Sequence, residues 1–280
     1  MIRLTSAYAS GLRGRTSMIS GRCLIIISAL LMSGCSLPTT HDRNAFTMRD
    51  DAKNAVAEVA PAMAAYSEHF IEKDLWSRPE LSRRDRSLVT LAALISRNGT
   101  AELPEYINLA LDNGVTPTEI SETITHLAFY AGWPNATSAA LITRNVFVQR
   151  HIDTTALPGA DVKLLPLDQE SENKRFDLVE KNFGDVSPGV VKYTTDALFL
   201  NLWLRPGLAP RDRSLVTVSA LVTAGQVAQV PFHLGKAMDN GLSQTQASEV
   251  LTQLAFVAGW PNVFSALPVF KDVFAGRKSS

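Results

Sequence analysis

The chain has 280 residues, 46% of them apolar and 19% charged, so it can bury one large core or two ordinary ones and is neither disordered nor collagen-like. Its 27 basic residues balance 27 acidic ones, which leaves no electrostatic footprint for nucleic acid. Only two cysteines occur, Cys23 and Cys35, both in the first eighth of the chain, which excludes a disulfide framework, a thiolate metal site or a dithiol redox centre in the body.

Residues 1–22 contain Arg3, Arg13, Arg15 and Arg22 and no acid, and an apolar run over 23–32 follows. That order predicts an export signal over 1–34. The run is shorter than the ~20 residues of a membrane-spanning helix. It ends in Leu31-Met-Ser-Gly-Cys35, which resembles the lipobox of bacterial lipoproteins, with Met32 where that pattern usually has Leu. Met18 begins a second, more compact signal of the same kind, so translation starts at Met1 or at Met18. On the lipoprotein reading Cys35 is lipidated and becomes the mature N-terminus, and the protein is exported and anchored on the periplasmic side of the bacterial cell envelope. An ordinary secretory signal or an uncleaved anchor is the other reading. Residues 35–47 read as a polar tether. With 1–34 removed, 23 basic residues face 27 acidic ones, and the body is mildly acidic.

Beyond residue 48 the chain repeats itself. Arg84-Asp-Arg-Ser-Leu-Val-Thr90 recurs as Arg211-Asp-Arg-Ser-Leu-Val-Thr217, and Ala131-Gly-Trp-Pro-Asn135 as Ala258-Gly-Trp-Pro-Asn262, both at an offset of 127. The same offset pairs Trp76 with Trp203 and Asp112-Asn-Gly114 with Asp239-Asn-Gly241, and roughly half of the positions over 75–147 are identical in the second copy. A period this long is a duplicated domain rather than a solenoid unit. The repeats span 48–147 and 175–274, with a linker over 148–174 and a tail over 275–280. Helices are predicted throughout. Ser82-x-x-Asp85 reads as a capping box at a helix start, where the second copy has Pro210. Positions 88–95 and 215–222 are nearly all apolar or small, which predicts a helix buried on most sides. Helices over 102–112 and 229–239 end at Gly114 and Gly241. Capping boxes at Thr116/Glu119 and Ser243/Gln246 open the next pair. Gly-Trp-Pro stops that pair, and a last helix begins near residue 136. No stretch alternates with period two, so the fold class is all-α.

These motifs, in this order, resemble the carboxymuconolactone decarboxylase family of the alkylhydroperoxidase D-like superfamily. The resemblance covers most of 48–274. It implies a duplicated helical domain whose core is built by paired helices of neighbouring copies, and a trimer of two-repeat chains, because single-repeat members form hexamers. The superfamily's peroxidase branch uses Cys-x-x-Cys, and here Gly99 and Glu102, or Gln226 and Gln229, hold those positions, so thiol peroxidase activity is not expected. The resemblance points instead to a cofactor-free lyase like 4-carboxymuconolactone decarboxylase, acting on a small carboxylate or lactone.

Such chemistry needs a cation for a carboxylate, a dry pocket and a proton donor. Arg86 and Arg213 are the candidate carboxylate binders, and an ion pair with Asp85 or Asp212 is the competing role for the repeated arginines. His233 stands where the family has a histidine, four residues after Gln229, while the first copy has Glu102 and Tyr106. His126 and Tyr130 form a second pair off the apolar helix face, replaced by Gln253 and Val257. The catalytic candidates are therefore His233, Glu102 and His126, with Arg86, Arg213, Tyr106, Gln229 and Tyr130 binding substrate. Divergence between the copies is compatible with one composite site. As the pattern expected of decaying sites it favours a non-catalytic envelope protein that binds a small ligand or a protein partner, whereas the retained arginines favour the lyase. Trp133 and Trp260 read as helix-ending packing residues or as a substrate lid. No metal-ligand spacing is present.

Overall fold

The computed structural model describes residues 52–278, which fall in one compact unit. The predicted signal, Cys35 and the tether lie outside the described residues. Every regular element within 52–278 is helical. Helix α1 (52–59) precedes α2 (Pro61–Tyr66), which continues as a π-helical turn (Ser67–Glu72) and a 3-10 turn (Leu75–Ser77). Helices α3 (Arg83–Ser96), α4 (Leu103–Asp112), α5 (Pro117–Tyr130) and α6 (Trp133–Gln149) complete the first repeat. The second repeats the order: α7 (Gln169–Phe183), α8 (Pro188–Tyr193) with its π-turn (Thr194–Phe199), a 3-10 turn (Leu202–Leu204), α9 (Pro210–Thr223), α10 (Val230–Asp239), α11 (Gln244–Ala258) and α12 (Trp260–Lys278).

Local sequence accounts for most helix ends. Prolines occupy the first turn of α4, α5, α6, α9 and α10, where a missing N–H breaks no bond. Both predicted capping boxes form at Thr116 and Ser243. At Ser82 only half a box forms, because the Asp85 carboxylate turns to Arg211 instead of reaching back. Gly114 and Gly241 adopt φ of 89° and 100°, and the residue after each donates back to Ala110 and Ala237, closing α4 and α10. The last helices begin at Trp133 and Trp260, three residues earlier than expected. Gly132 and Gly259 make this possible with φ near 90°, and Pro134 and Pro261 fit the turn that follows.

The centre of the molecule is the pair α3 and α9, packed against each other. Helix α5 of the first repeat packs on α9 of the second, and α11 packs on α3, so the repeats exchange helices and share one apolar core. Residues 85–95 and 212–223 are wholly buried. Their Ser87, Thr90, Ser214, Thr217, Ser219 and Thr223 hydroxyls donate to the carbonyl four residues back, which satisfies them without a neighbour. Two repeated motifs are ties to these helices. Asn113 and Asn240 each donate to Ser87 and Ser214 at 3.0 Å, and Asn135 and Asn262 donate to the carbonyls of Ser96 and Thr223 at 3.0 and 2.8 Å.

Candidate active site

The repeated arginines sort into an outer and an inner layer. In the outer layer Arg84 donates to Asp212 at 2.8 Å and Arg211 donates to Asp85 at 2.8 and 2.7 Å, stitching α3 to α9. In the inner layer Arg86 and Arg213 are fully buried. Arg213 donates to Glu122 at 3.0 Å and to the Arg205 carbonyl at 2.8 Å, and Arg86 donates to Glu249 at 2.8 Å and to the Arg78 carbonyl at 2.9 Å. Arg205 and Arg78 grip the same two carboxylates from the other side. Burial alone would raise the pKa of Glu122, but hydrogen bonds from Arg205 and Arg213 outweigh it and hold the carboxyl below its ordinary range. Arg78 and Arg86 do the same for Glu249. Each clamp joins a carboxylate of one repeat to guanidiniums of the other. The substrate-binding role expected of Arg86 and Arg213 does not fit this placement, since both are sealed from solvent and committed to glutamates.

Beside the clamps the two halves differ. The Thr217 hydroxyl donates its one proton to the Arg213 carbonyl at 2.8 Å, so the 2.7 Å contact between Thr217 Oγ1 and His126 Nε2 makes that nitrogen the donor. His126 Nδ1 then accepts from Arg213 Nη1 at 3.4 Å. The imidazole is therefore neutral, in agreement with a pKa driven well below 6.5 by burial and then by the charge of Arg213. His126 was expected off the apolar face as a catalytic group. It lies wholly inside, because α5 is covered by α9 as well as by its own repeat, and both nitrogens are engaged. In the opposite half Gln253 makes the same two bonds, donating to Thr90 at 3.1 Å and accepting from Arg86 at 3.0 Å. The histidine and the glutamine do one job, that of positioning residues.

Tyr130 stacks on His126 with ring centroids 4.8 Å apart, and its oxygen accepts the Trp203 indole N–H at 2.9 Å. The phenol keeps its own hydrogen to donate, and burial raises its pKa well above the ordinary value. His233 lies near-parallel to Trp203 at 5.9 Å and edge-on to Tyr130 at 5.3 Å. Its buried Nδ1 has no hydrogen-bond partner among the described residues. Burial, and then the charge of Lys236, lowers its pKa to about 4, so the ring is neutral at pH 7. Lys236 sits above the Trp203 ring at 5.1 Å.

The structure thus gathers His126 and Tyr130 of the first repeat with Arg213, Trp203 and His233 of the second. At the equivalent place in the other half stand Gln253, Val257, Trp76 and Tyr106. Tyr106 stacks on Trp76 at 6.3 Å, and burial, then the charges of Glu105, Glu102 and Glu72, push its phenol up to about 12. Glu102 and Gln229 are exposed residues at the starts of α4 and α10. No hydrogen bond or ion pair among the described residues joins them to Tyr130 or His233, so Glu102 sits apart from the catalytic role expected of it. Trp133 and Trp260 lie on the surface, edge-on to Phe129 and Phe256 at 4.9 Å.

Two surface hollows lie elsewhere, neither lined by Tyr130 or His233. One of about 420 Å³ is bordered by Thr125, Phe129, Leu202 and Arg205, and one of about 580 Å³ by Met63, Tyr66, Phe70, Phe256 and Trp260. Among the described residues no three His, Cys, Asp or Glu side chains are grouped to hold a metal ion, and no helix is long and apolar enough to cross a membrane. Sequence reasoning missed Glu122, Arg205 and Trp203 as site residues, although their recurrence as Glu249, Arg78 and Trp76 was a usable signal. Lys236 had none, because its counterpart is Leu109.

Comparison with known proteins adds a family. The model described as "Carboxymuconolactone decarboxylase family" matches residues 61–145 and again 188–272. Over 78 residues the chain is 40% identical to a 4-carboxymuconolactone decarboxylase of Acinetobacter baylyi, a stretch that covers 28% of this chain and 58% of that protein. Over 70 residues it is 40% identical to a nitrosuccinic acid decarboxylase of Metarhizium robertsii, covering 25% and 49% respectively. The chain spans about half the length of these curated relatives, both of which are named as decarboxylases.

Proposed function

The chain belongs to the carboxymuconolactone decarboxylase family, which both of its repeats match, and on that basis we propose that it is a cofactor-free carboxy-lyase with one composite site per chain. The observation that carries this reading is the half-buried Tyr130 phenol, whose oxygen is fixed by Trp203 while its proton stays free beside a neutral His233. The substrate is a small carboxylate or lactone bearing an electron-withdrawing group next to the carbon that loses carbon dioxide. When the carbon–carboxylate bond breaks, its electron pair passes into that group, and the developing oxyanion meets the Tyr130 O–H. Carbon dioxide leaves, and the carbon takes a proton that His233 relays from solvent. A relay receives a proton on one nitrogen as it gives up the other, so the ring avoids the net charge its burial disfavours.

The test is release of carbon dioxide by the purified body from 4-carboxymuconolactone and from nitrosuccinic acid. Turnover of either acid, falling by about a hundredfold or more in Tyr130→Phe and in His233→Gln, is the expected result. Wild-type protein inert toward both acids would remove the decarboxylase reading.

The second reading, a non-catalytic envelope protein that binds a small ligand or a protein, draws on the opposite half, where Gln253, Val257 and Tyr106 leave no histidine. Export, lipidation of Cys35 and a trimer of chains stay proposals. Palmitate labelling lost in Cys35→Ser tests the anchor. Light scattering tests the trimer, whose formation would cover exposed Met63, Tyr66, Tyr193 and Trp260.

A further inference from the structure

A decarboxylase reading needs a cation for the substrate carboxylate, and the basic side chains near Trp203 are Arg213, Arg205, Arg175 and Lys236. Arg213 and Arg205 are bonded to Glu122. Arg175 is bidentate on Glu172 at 2.8 and 2.5 Å and lies over Phe199, which in turn stacks on Trp203. That leaves Lys236. The three carboxylates whose fields reach it are Asp239, Asp168 and Glu172. Each is already engaged: Asp239 accepts from Arg277 at 2.6 Å, Asp168 caps α7 through the Ser171 N–H, and Glu172 is held by Arg175. Among the described residues the Lys236 ammonium makes no hydrogen bond or ion pair; it rests on the face of Trp203, half-buried, one helical turn from His233.

A half-buried ammonium with no carboxylate of its own is a poorly satisfied group unless something anionic arrives. We propose that Lys236 is the carboxylate seat of the composite site, taking one carboxylate of the substrate against Trp203 while Tyr130 and His233 face the reacting carbon. The opposite half has Leu109 at this position, with Tyr106 ringed by acidic fields, and repels an anion there. The chain therefore holds one dicarboxylate, not two. Burial lowers the pKa of Lys236, and an incoming carboxylate offsets that cost, which favours dianions over their amides.

This inference rests on the composite site proposed above, and binding separates the two. Calorimetric titration of the intact body with succinate, and with succinamide as the uncharged control, is the experiment. Expected are one equivalent of succinate per chain, no detectable succinamide binding, and a ten- to hundredfold loss of succinate affinity in Lys236→Met. Lys236→Arg stays within a few fold of wild type. Thermal midpoints of the Met variant at or above wild type exclude a folding defect. Succinate affinity unchanged by Lys236→Met, two equivalents per chain, or no binding by wild type overturns the seat. If the affinity depends on Lys236 while neither acid is turned over, the seat stands and the decarboxylase reading falls. If turnover occurs and its KM is indifferent to Lys236→Met, the seat falls and the decarboxylase reading stands.

Discussion

His126 shows how much a single position decides. Both its nitrogens are spent on Thr217 and Arg213, and Gln253 spends its amide in the same way on Thr90 and Arg86. A glutamine should therefore replace it. His126→Gln is expected to stay within about 1 kcal/mol of wild-type stability, whereas His126→Leu leaves a buried guanidinium N–H without a partner and costs about 2–3 kcal/mol, read from urea unfolding. Catalytic activity surviving in His126→Gln would confirm that the residue positions rather than reacts. His233 is a different case. Its pKa falls from 6.5 to about 4 on folding. Above pH 6.5 the ring is neutral in both states and contributes no pH dependence. As pH falls from 6.5 toward 4 the unfolded chain binds the proton first, and stability drops by about 1.4 kcal/mol per unit, to at most about 3 kcal/mol. His233→Gln is expected to flatten that part of the curve, with the slope due to His126 remaining.

At the scale of elements, what joins the repeats is a pair of helix crossings, α5 on α9 and α11 on α3, each locked by a buried glutamate between two arginines. Removing one charge from such a clamp leaves guanidiniums buried and unpaired. Glu122→Gln and Glu249→Gln are each expected to lose about 3–5 kcal/mol in chemical denaturation, and by similar amounts, because the two clamps are built alike. A loss at only one of them would mean that the halves are not energetically equivalent. Much at this scale was legible in the sequence. Capping residues, first-turn prolines and glycines with positive φ are local devices, so the ends of α4, α5, α10 and α11 could be read directly. The half-formed box at Ser82 could not, since Asp85 is drawn away by Arg211 from 126 residues further along the chain.

At the scale of the whole molecule, the repeat at an offset of 127, the all-helical class and the family were carried by sequence alone, because duplication leaves identical motifs and helices advertise themselves within a few turns. Which of the repeated residues touch was decided only by tertiary structure. Arg86 and Arg213 looked like carboxylate binders until the partner repeat supplied Glu249 and Glu122. Lys236 has Leu109 as its counterpart, and only the fold shows that Asp239, Asp168 and Glu172 near it are each engaged by other groups. Sequence records the chemistry available in each repeat. The exchange of α5 and α11 brings residues 83 to 167 positions apart into contact, and so sets which of the repeated charges are neutralised inside the core.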